Sequence, residues 1–428
     1  MIIRPLRGFS RTLAVPGDKS ISHRYALLGG AAAGETVIHN YSSSRDCHST
    51  LSCLEQLGVG VAVEGTEVHL ASRGKAGWKQ PAEPLDAGNS GTTIRLLSGL
   101  LAGCPFPVVI SGDESLSQRP MKRIIDPLRK MGAGVESRDA GLPPLRITGG
   151  ALRPLVYQPS AASAQVKSCV LLAGLSAAGR TTVIESKATR DHTERALPLF
   201  GVPVDLEGSA LSVTGPAALS GAEVTVPGDM SSAVFFLAAA LMIPGASLQI
   251  KGVGVNPSRS ALLQLVRESG ADVAEKETAH SGGEPCSTLD VSYSSRLTKS
   301  FPAEIRGNLI PNLIDEIPIL AVMSPLLEQG LTVRDAEELR VKECDRIKAV
   351  AVNMKSLGIM IEEYRDGFHI PGGQEYTGGA VDSFGDHRIA MAFSIAGLLS
   401  RDGIEIRNPE CVSVSFPEFF EVLDSLRD

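Results

Sequence analysis

The segment DKSISHR, residues 18–24, carries two positively charged side chains, Lys19 and Arg24, at the start of an apolar helical pattern. Ser20 and Arg24 are four residues apart, so they lie on one face of a helix, and Lys19 is adjacent. A helix N-terminus already carries unpaired N–H groups and partial positive charge. Additional cations there are unfavourable unless an anion binds, so we predict that this helix start binds a phosphate or a carboxylate.

Acidic and basic side chains are interleaved in a second segment, RVKECDR, residues 340–346. Lys342 and Arg346 are four residues apart, and Glu343 is three residues before Arg346. Asp315 begins another apolar segment. A carboxylate among cations stays ionised and can act as a base, so Asp315 and Glu343 are candidate proton-transfer residues. Taken singly, each could equally form an ordinary ion pair.

Further helix starts carry groups that suit anionic or hydroxylated ligands. Arg388 lies in DHR and Arg119 directly precedes a proline, and a planar guanidinium can bind a phosphate or carboxylate through two hydrogen bonds. The segment GNSGTTIR contains Gly91, whose neighbouring amides could bind an oxyanion, although the segment is not a nucleotide-binding motif. Ser163 and Gln165 offer a hydroxyl and an amide to a hydroxylated ligand.

Two patterns recur along the chain at intervals of about seventy residues. One is a charged helical pattern that ends in glycine before a valine-rich stretch, and a glycine there is typical of a left-handed helix cap. Its glycines are Gly58, Gly132, Gly201, Gly270 and Gly358. The other is an apolar helical pattern rich in small residues. It covers residues 18–34, 89–103, 163–179, 229–245, 315–330 and 386–400.

The apolar helices lack a polar face and are therefore expected to be buried. Strands that alternate with buried helices indicate an α/β fold with helices packed inside a ring of sheets. A solenoid is the alternative, although solenoid repeats are usually shorter. The similar segments VPGDKS and VPGDMS open two halves. We predict one domain from residues 16–226 and another from 227–428, which also contains the N-terminal strand within residues 1–15.

The composition narrows the class of protein. The chain has 428 residues, enough for two or three domains, and a net charge of −7, which disfavours nucleic acid or an anionic membrane as a partner. Its seven cysteines form no CxxC pair, which indicates a reducing compartment and gives no metal-ligand spacing. The longest apolar run, residues 233–244, is shorter than the roughly 20 residues that a membrane span needs. We expect a soluble, cytoplasmic protein.

The chain resembles the 5-enolpyruvylshikimate-3-phosphate synthases over essentially its whole length. PGDKSISHR is similar to the PGxKSxxxR signature of that family, and GNSGTTIR is similar to its GNxGTxxR. SAQ matches the family's SxQ, RVKECDR its RxKExDR, and GDHRIAM its DHRxAM. Five motifs in the same order make the resemblance specific.

The resemblance implies a fold and a reaction. The fold is a two-domain inside-out α/β barrel, in which each domain has three βαβαββ units around buried helices and the active site lies in the cleft between the domains. The enzyme is a transferase of the shikimate pathway of aromatic amino acid (chorismate) biosynthesis. It transfers the enolpyruvyl group of phosphoenolpyruvate to the 5-hydroxyl of shikimate 3-phosphate and releases phosphate. The resemblance implies a monomer with no metal or organic cofactor.

The resemblance also implies which residues act. The predicted shikimate 3-phosphate site comprises Lys19, Ser20, Arg24, Ser163, Ala164, Gln165, Arg190, Asp315 and Lys342. The predicted phosphoenolpyruvate site comprises Lys19, Gly91, Arg119, Gln165, Arg346 and Arg388. Asp315 accepts the proton of the 5-hydroxyl, and Glu343 with Lys19 handles the proton at the methylene carbon.

The sequence departs from the family pattern at three positions. Many relatives have serine where Ala164 stands, and tyrosine near Thr189 and Arg190. Many also have a lysine where Val414 stands, which removes one expected contact to phosphoenolpyruvate. Members of the family are targets of the inhibitor glyphosate, and Gly91 leaves room beside the phosphoenolpyruvate that this inhibitor competes with.

Two alternatives remain at this point. A UDP-N-acetylglucosamine enolpyruvyl transferase has the same fold, but that family has Lys-Asn in place of Lys19-Ser20 and a reactive cysteine in a loop that corresponds here to GDESLSQRPM. A non-catalytic anion-binding protein of this fold is the other. It would not need the carboxylates Asp315 and Glu343 inside the cationic cluster.

Overall fold

The structure is a computed structural model that describes residues 1–427. The chain divides into two compact units. Unit 1 contains Met1–Pro16, Pro227–His280 and the chain from Pro285 onward. Unit 2 contains Gly17–Val226 and the short segment Ser281–Glu284. Each unit has its own buried apolar core.

The chain up to residue 226 forms the first fourteen strands and six helices. The strands are β1 (Ile2–Ile3), β2 (Ser10–Ala14), β3 (Ala33–His39), β4 (Gly60–Glu64), β5 (Glu67–Arg73), β6 (Leu85–Asp86), β7 (Pro107–Ser111), β8 (Gly134–Arg138), β9 (Leu142–Thr148), β10 (Val156–Tyr157), β11 (Gly179–Ile184), β12 (Asp205–Glu207), β13 (Ala210–Gly215) and β14 (Glu223–Thr225). The helices are α1 (Lys19–Ala31), α2 (Arg45–Gln56), α3 (Gly91–Leu101), α4 (Lys122–Met131), α5 (Ala164–Gly174) and α6 (His192–Leu199).

The remaining elements follow residue 226. The strands are β15 (Ser247–Gly254), β16 (Asp272–Ser281), β17 (Glu284–Ser292), β18 (Glu304–Ile305), β19 (Leu331–Val333), β20 (Glu362–Tyr364), β21 (Gly367–Ile370), β22 (Gly379–Asp382) and β23 (Ile404–Arg407). The helices are α7 (Met230–Met242), α8 (Ala261–Glu268), α9 (Ser295–Ser300), α10 (Ile310–Leu313), α11 (Ile317–Met323), α12 (Arg346–Ser356), α13 (His387–Leu399) and α14 (Phe419–Asp424).

The strands form six small sheets, each with one parallel pair and at least one antiparallel pair. In unit 2 the strand orders are β14-β3-β5-β4, β6-β7-β9-β8 and β10-β11-β13-β12. In unit 1 they are β16-β17-β15-β2, β18-β19-β21-β20 and β1-β23-β22. The N-terminal strand β2 pairs in parallel with β15, so the beginning of the chain completes a sheet of unit 1.

The segments predicted to be buried helices form α1, α3, α5, α7, α11 and α13. All residues of α7 are buried, as expected for a helix without a polar face. The charged helices that alternate with them end at the five glycines of the charged repeat pattern, namely Gly58, Gly132, Gly201, Gly270 and Gly358. Those glycines have φ between 76° and 106°, the left-handed conformation predicted for a helix cap.

The fifth apolar segment differs from the prediction. Residues 315–330 were expected to form one long buried helix, but α11 covers only Ile317–Met323 and gives way to a 3-10 turn at Ser324–Leu326. Pro318 lies in the first turn of α11 and Pro325 lies in the 3-10 turn. A proline cannot donate a helical hydrogen bond from its backbone nitrogen, so Pro325 ends the regular helix.

Within residues 1–427 we find no single helix that combines the length and apolarity needed to cross a membrane. The pair Gly307–Leu313 and Ile317–Leu326 meets the length and composition criteria only when its members are counted together across a bend of 104°.

Candidate functional site

The N-terminus of α1 presents the first predicted cation. Asp18 caps the helix, since its Oδ1 accepts a hydrogen bond from the backbone N–H of Ile21 at 3.0 Å. Lys19 is the first helical residue, and its ammonium lies 2.9 Å from Oδ2 of Asp46. Asp46 belongs to α2, so this ion pair fixes the direction of the Lys19 side chain at the helix start.

Arg24 lies one turn further along α1 and is only 4% exposed. Its Nε donates to Oγ1 of Thr193 at 2.8 Å, and one terminal nitrogen donates to Oγ of Ser168 at 3.0 Å. The other terminal nitrogen donates to the carbonyl oxygen of Ser20 at 2.7 Å. Among residues 1–427, no carboxylate lies within ion-pair distance of this guanidinium. Burial lowers the pKa of Arg24 to about 10, so it remains charged at neutral pH.

Arg190 lies close enough to Arg24 that the two positive charges repel each other, and this repulsion contributes to the lowered pKa of Arg24. His23, the neighbour of Arg24, is fully buried. Burial, followed by the charges of Lys19 and Arg24, lowers the pKa of His23 well below its ordinary value, so this imidazole is neutral. Arg24 therefore has other cations nearby, Lys19 and Arg190, an arrangement that suits an anion.

Gly91 and Gln165 come together at the starts of α3 and α5. Oε1 of Gln165 accepts a hydrogen bond from Arg95 at 2.8 Å, and its amide nitrogen donates to Oγ1 of Thr92 at 3.0 Å. The same nitrogen of Arg95 also donates to the carbonyl oxygen of Gly91 at 3.2 Å. A Cβ atom at Gly91 would lie 2.5 Å from that nitrogen, so only glycine leaves Arg95 in this position.

Arg119 lies beside the same group, between a 3-10 turn at Leu116–Gln118 and α4. It donates to Oδ1 of Asn89 at 2.7 Å and to Oγ of Ser115 at 3.1 Å. A terminal nitrogen of Arg119 lies 3.5 Å from the position that a Cβ of Gly91 would take. Unit 2 therefore brings Gly91, Arg119 and Gln165 together, three of the residues predicted to bind phosphoenolpyruvate.

The remaining predicted residues of unit 2 lie at helix starts. Ser163 caps α5 through its hydroxyl, which accepts from the backbone N–H of Val166 at 3.4 Å. Ala164 is the first residue of α5 and is partly exposed, as are Ser20 and Arg190. Arg24 connects the two helices because it binds the carbonyl of Ser20 on α1 and Ser168 on α5.

In unit 1, Arg346 organises a cluster of three carboxylates. Arg346 is 1% exposed, and its Nε lies 2.7 Å from Oδ2 of Asp386. One terminal nitrogen donates to Oε2 of Glu343 at 2.6 Å, and the other lies 3.5 Å from Oδ1 of Asp315. Burial alone would lower the pKa of Arg346, but the charges of Asp386, Glu343 and Asp315 outweigh burial, so its pKa is raised.

Asp315 is surrounded by guanidinium groups. Nε of Arg388 lies 3.6 Å from Oδ1 of Asp315, and Arg388 also donates to the backbone carbonyl of Asp315 at 3.1 Å. A third arginine, Arg259, lies 3.7 Å from Oδ2. The Asp315 side chain is 14% exposed and that of Glu343 is 21% exposed. Both carboxylates are therefore held in place by arginine and remain accessible.

Asp386 serves two purposes in this cluster. Its Oδ1 caps α13 by accepting from the backbone N–H of Arg388 at 2.8 Å, while Oδ2 binds Arg346. Asp386 is fully buried, so it is a structural anion and not a ligand-facing one. Asp18, Asp229 and Asp386 all cap helices.

Lys342 takes a different partner from its neighbours in the motif. Its ammonium lies 3.0 Å from Oε1 of Glu338, one helical turn earlier in the chain. The structure therefore brings together Asp315, Glu343, Arg346 and Arg388, whereas Lys342 pairs outside that cluster. Val414, where many relatives have lysine, ends a 3-10 helix at Pro409–Val414.

One group of side chains in unit 2 could hold a metal ion. Ligand atoms of Asp191, His192 and Glu284 lie within 4.8 Å of one another. Nδ1 of His192 is 2.7 Å from Oε1 of Glu284, and both side chains are buried. Arg195 lies 2.8 Å from Asp191 and 3.8 Å from Glu284. The guanidinium compensates both carboxylates, so the group is an ion-pair network that does not require a metal.

Sequence reasoning missed several residues that complete these clusters. Arg95 stands inside the motif GNSGTTIR, so the motif itself contained the signal. Asp46, Thr193 and Ser168 carry no distinctive spacing and reach Lys19 or Arg24 only through the tertiary fold. Arg259 lies in NPSRS, outside the repeat of helix starts, and gave no signal.

Comparisons with known proteins cover the whole chain. The profile of the family described as EPSP synthase (3-phosphoshikimate 1-carboxyvinyltransferase) matches residues 3–423. A 3-phosphoshikimate 1-carboxyvinyltransferase of Solibacter usitatus is 48% identical over 426 residues, covering 100% of this chain and 99% of that protein. One from Shouchella clausii is 47% identical over 421 residues, covering 98% of this chain and 97% of that protein.

Solved structures agree with these relatives. An EPSP synthase from Acinetobacter baumannii superposes with a TM-score of 0.88 at 40% identity, covering 99% of this chain and 97% of that one. The enolpyruvyl transferase NikO from Streptomyces tendae has a TM-score of 0.82 at 17% identity, covering 99% and 96% of the two chains, and supports the fold alone. The α/β fold class and the family resemblance inferred from the sequence are confirmed. The chain belongs to the EPSP synthase (3-phosphoshikimate 1-carboxyvinyltransferase) family.

Proposed function

We propose that this protein transfers the enolpyruvyl group of phosphoenolpyruvate to the 5-hydroxyl of shikimate 3-phosphate and releases phosphate. Full-length relatives at 47–48% identity carry the name of this activity. The observation that carries the assignment of catalytic residues is the placement of Asp315 and Glu343 on the two terminal nitrogens of one buried guanidinium, Arg346.

Arg24 is the proposed anchor for an anionic group of shikimate 3-phosphate. Its charge is buried with only hydroxyl and carbonyl partners, an arrangement that a bound dianion would stabilise. Arg190 adds a second positive charge nearby. The rest of the proposed shikimate 3-phosphate site keeps the predicted members, namely Lys19, Ser20, Ser163, Ala164, Gln165, Asp315 and Lys342.

The proposed phosphoenolpyruvate site uses Gly91, Arg119 and Gln165 from unit 2, and Arg346 and Arg388 from unit 1. Lys19 is shared with the other substrate. The positions of Arg119 and Arg95 beside Gly91 support this grouping, because two guanidinium groups at the start of α3 could bind a small carboxylate. Arg95, bound to Gln165, is a further cation next to this position.

The proposed mechanism has an addition and an elimination. Asp315 accepts the proton of the 5-hydroxyl while the oxygen forms a bond to C2 of phosphoenolpyruvate, the carbon that carries the phosphate, and a proton supplied by Glu343 with Lys19 converts the methylene to a methyl group. The addition forms a tetrahedral ketal as an intermediate. A proton then returns from the methyl group to Glu343 with Lys19, the carbon–carbon double bond reforms, and the C–O bond to phosphate breaks, which releases inorganic phosphate. Both carboxylates are accessible and held by arginine, as proton transfer requires.

The reaction is a group transfer without oxidation or reduction, and we propose that it uses no metal or organic cofactor. We also propose that the protein works as a cytoplasmic monomer on these two small-molecule substrates, by analogy with its family.

The direct test is release of inorganic phosphate from phosphoenolpyruvate by the purified protein. We expect release only when shikimate 3-phosphate is present, with stoichiometric formation of the enolpyruvyl product. UDP-N-acetylglucosamine in place of shikimate 3-phosphate should give no release. Turnover with the UDP-sugar alone would contradict the proposal, and no turnover by folded protein with either acceptor would favour a non-catalytic anion-binding protein.

A further inference from the structure

Arg259 is a buried arginine that the family motifs do not include. It lies in the turn between β15 and α8 and is 5% exposed. The turn is well defined, since the backbone N–H of Arg259 donates to the carbonyl of Asn256 at 2.8 Å. The Asn256 side chain accepts from the backbone N–H of Ser258 at 2.9 Å. These hydrogen bonds fix the backbone from which the Arg259 side chain extends.

The Arg259 guanidinium is held at one end by α7. One terminal nitrogen donates to Oγ of Ser231 at 2.6 Å and to Oδ1 of Asp229 at 3.2 Å. Asp229 is the N-cap of α7, so both acceptors sit on a fully buried helix start. This anchoring aims the other terminal nitrogen at Asp315, where it lies 3.7 Å from Oδ2.

The two oxygens of Asp315 face different arginines. Oδ2 faces Arg259, whereas Oδ1 faces Arg346 at 3.5 Å and Arg388 at 3.6 Å. A carboxylate with cations on both oxygens cannot rotate without losing an ion pair. Arg259 therefore helps to fix the plane of the Asp315 carboxylate and keeps one of its two equivalent oxygens on the side away from Arg346 and Arg388.

A second contact reaches the side chain of the residue next to Asp315. Oγ of Ser231 donates to Oε1 of Glu316 at 2.7 Å while it accepts from Arg259. Glu316 is 1% exposed and is the residue that precedes the first turn of α11. The chain from Arg259 through Ser231 to Glu316 thus restrains the residue adjacent to Asp315, independently of the ion pair with the Asp315 side chain.

We propose that Arg259 is a positioning residue for Asp315, which orients its carboxylate for proton abstraction and favours its ionised form. This inference rests on the proposed role of Asp315 as the base. Arg259 acts through Asp315 and needs no contact with either substrate. The charged groups around Asp315 that share this task are Arg346 and Arg388, with Glu343 and Glu316 as the nearby acids.

The test compares Arg259→Gln with Arg259→Lys and with a control, Arg267→Gln. Arg267 lies on the adjacent helix α8, where it pairs with Glu275 at the surface. We expect Arg259→Gln to lower kcat by about tenfold to a hundredfold, the range of a weakened general base, with KM for phosphoenolpyruvate changed less than about threefold. Arg259→Lys should retain more activity because it keeps a charge, and Arg267→Gln should behave as the unaltered protein.

The pH profile separates positioning from a merely structural role. Loss of the positive neighbour disfavours ionised Asp315, so the acidic limb of kcat should move to higher pH by up to about one unit in Arg259→Gln and less in Arg259→Lys. A variant that is only destabilised would have a lower melting temperature but an unmoved limb. If Arg259→Gln does not fold, Arg259→Lys and Ser231→Ala provide the same comparison.

A double variant distinguishes failure of this inference from failure of the proposed function. In an Asp315→Asn background, Arg259→Gln should change the residual kcat less than about twofold, because both act on the same step. If Asp315→Asn is inactive but Arg259→Gln keeps kcat and the acidic limb, the positioning role of Arg259 is wrong. If Asp315→Asn itself keeps full kcat, the assignment of the base is wrong.

Discussion

Two buried arginines, Arg24 in unit 2 and Arg346 in unit 1, have opposite surroundings. Arg24 binds two hydroxyls and a carbonyl, and burial lowers its pKa. Arg346 binds three carboxylates, and their charges raise its pKa. Both guanidiniums are nearly inaccessible to solvent. The difference is therefore in the compensation of charge and not in exposure.

This difference indicates that the two arginines have different functional roles. Glu194 acts on the charge of Arg24 only from beyond ion-pair distance, so this guanidinium is suited to an anion that arrives from outside. The charge of Arg346 is already compensated, so its main effect is to hold Asp315 and Glu343 in place and ionised. We infer that the Arg24 cluster mainly binds and that the Arg346 cluster mainly carries out proton transfer.

The largest expected effect is on turnover when the base is removed. Asp315→Ala should lower kcat by about 10²–10⁴-fold, the usual contribution of a general base, because the 5-hydroxyl then loses its proton acceptor. Steady-state phosphate release measures this change. Unchanged turnover would remove Asp315 from the mechanism and with it the contrast between the two clusters.

The second effect is on stability and tests the charge compensation directly. Arg346→Met should cost about 3–5 kcal/mol, because it leaves three carboxylates without their shared cation. Arg24→Met should cost less, because it removes a buried charge that has no direct carboxylate partner, and its hydroxyl partners Ser168 and Thr193 already bind each other at 2.6 Å. Urea unfolding of the two variants gives both values, and equal losses would contradict the comparison.

The third effect is on substrate affinity. Arg24→Ala should raise the KM for shikimate 3-phosphate by about tenfold to a hundredfold, the equivalent of losing a charge-assisted hydrogen bond to an anion. The KM for phosphoenolpyruvate should change less. Initial-rate measurements with each substrate varied in turn separate the two constants, and an unaltered KM for shikimate 3-phosphate would count against the anchor role.

The smallest effect concerns His23, next to Arg24. Its pKa is well below 6.5 in the folded protein because it is buried beside Lys19 and Arg24. Below pH 6.5 the unfolded chain binds a proton that the folded protein does not, so stability falls as pH falls, by about 1.4 kcal/mol per pH unit. His23→Gln should remove this slope. Unfolding free energies at several pH values between 5 and 7 test it, and identical slopes would show that the cluster tolerates another positive charge.

Local patterns in the sequence were sufficient to predict the buried helices, the glycine caps and the helix starts that carry the cations. The sequence motifs were also sufficient to identify the family. The length of α11 was not predictable from periodicity alone, because Pro318 and Pro325 interrupt a segment whose apolar pattern continues. The N-cap residue of this helix, Glu316, makes no cap hydrogen bond because its side chain accepts a hydrogen bond from Ser231.

Partners that meet through the tertiary fold explain the remaining omissions. Arg259 and Asp315 are distant in the sequence, and no spacing rule connects them. Asp46 reaches Lys19 in the same way, from another helix. Conversely, Lys342 shares a motif with Glu343 and Arg346, but its nearest acidic partner is Glu338, one turn back. Adjacency in a motif therefore does not fix the ion-pair partner of Lys342, and its role as a ligand of shikimate 3-phosphate stays a prediction.

Equilibrium binding of shikimate 3-phosphate to Asp315→Ala and Arg24→Ala tests the division between binding and chemistry most directly. Titration calorimetry on both folded variants, beside the unaltered protein, supplies the dissociation constants. We predict that Asp315→Ala binds within about threefold of the unaltered protein although its turnover is nearly abolished, and that Arg24→Ala binds at least about tenfold more weakly. The reverse pattern, with Arg24→Ala binding normally and Asp315→Ala failing to bind, would contradict the account.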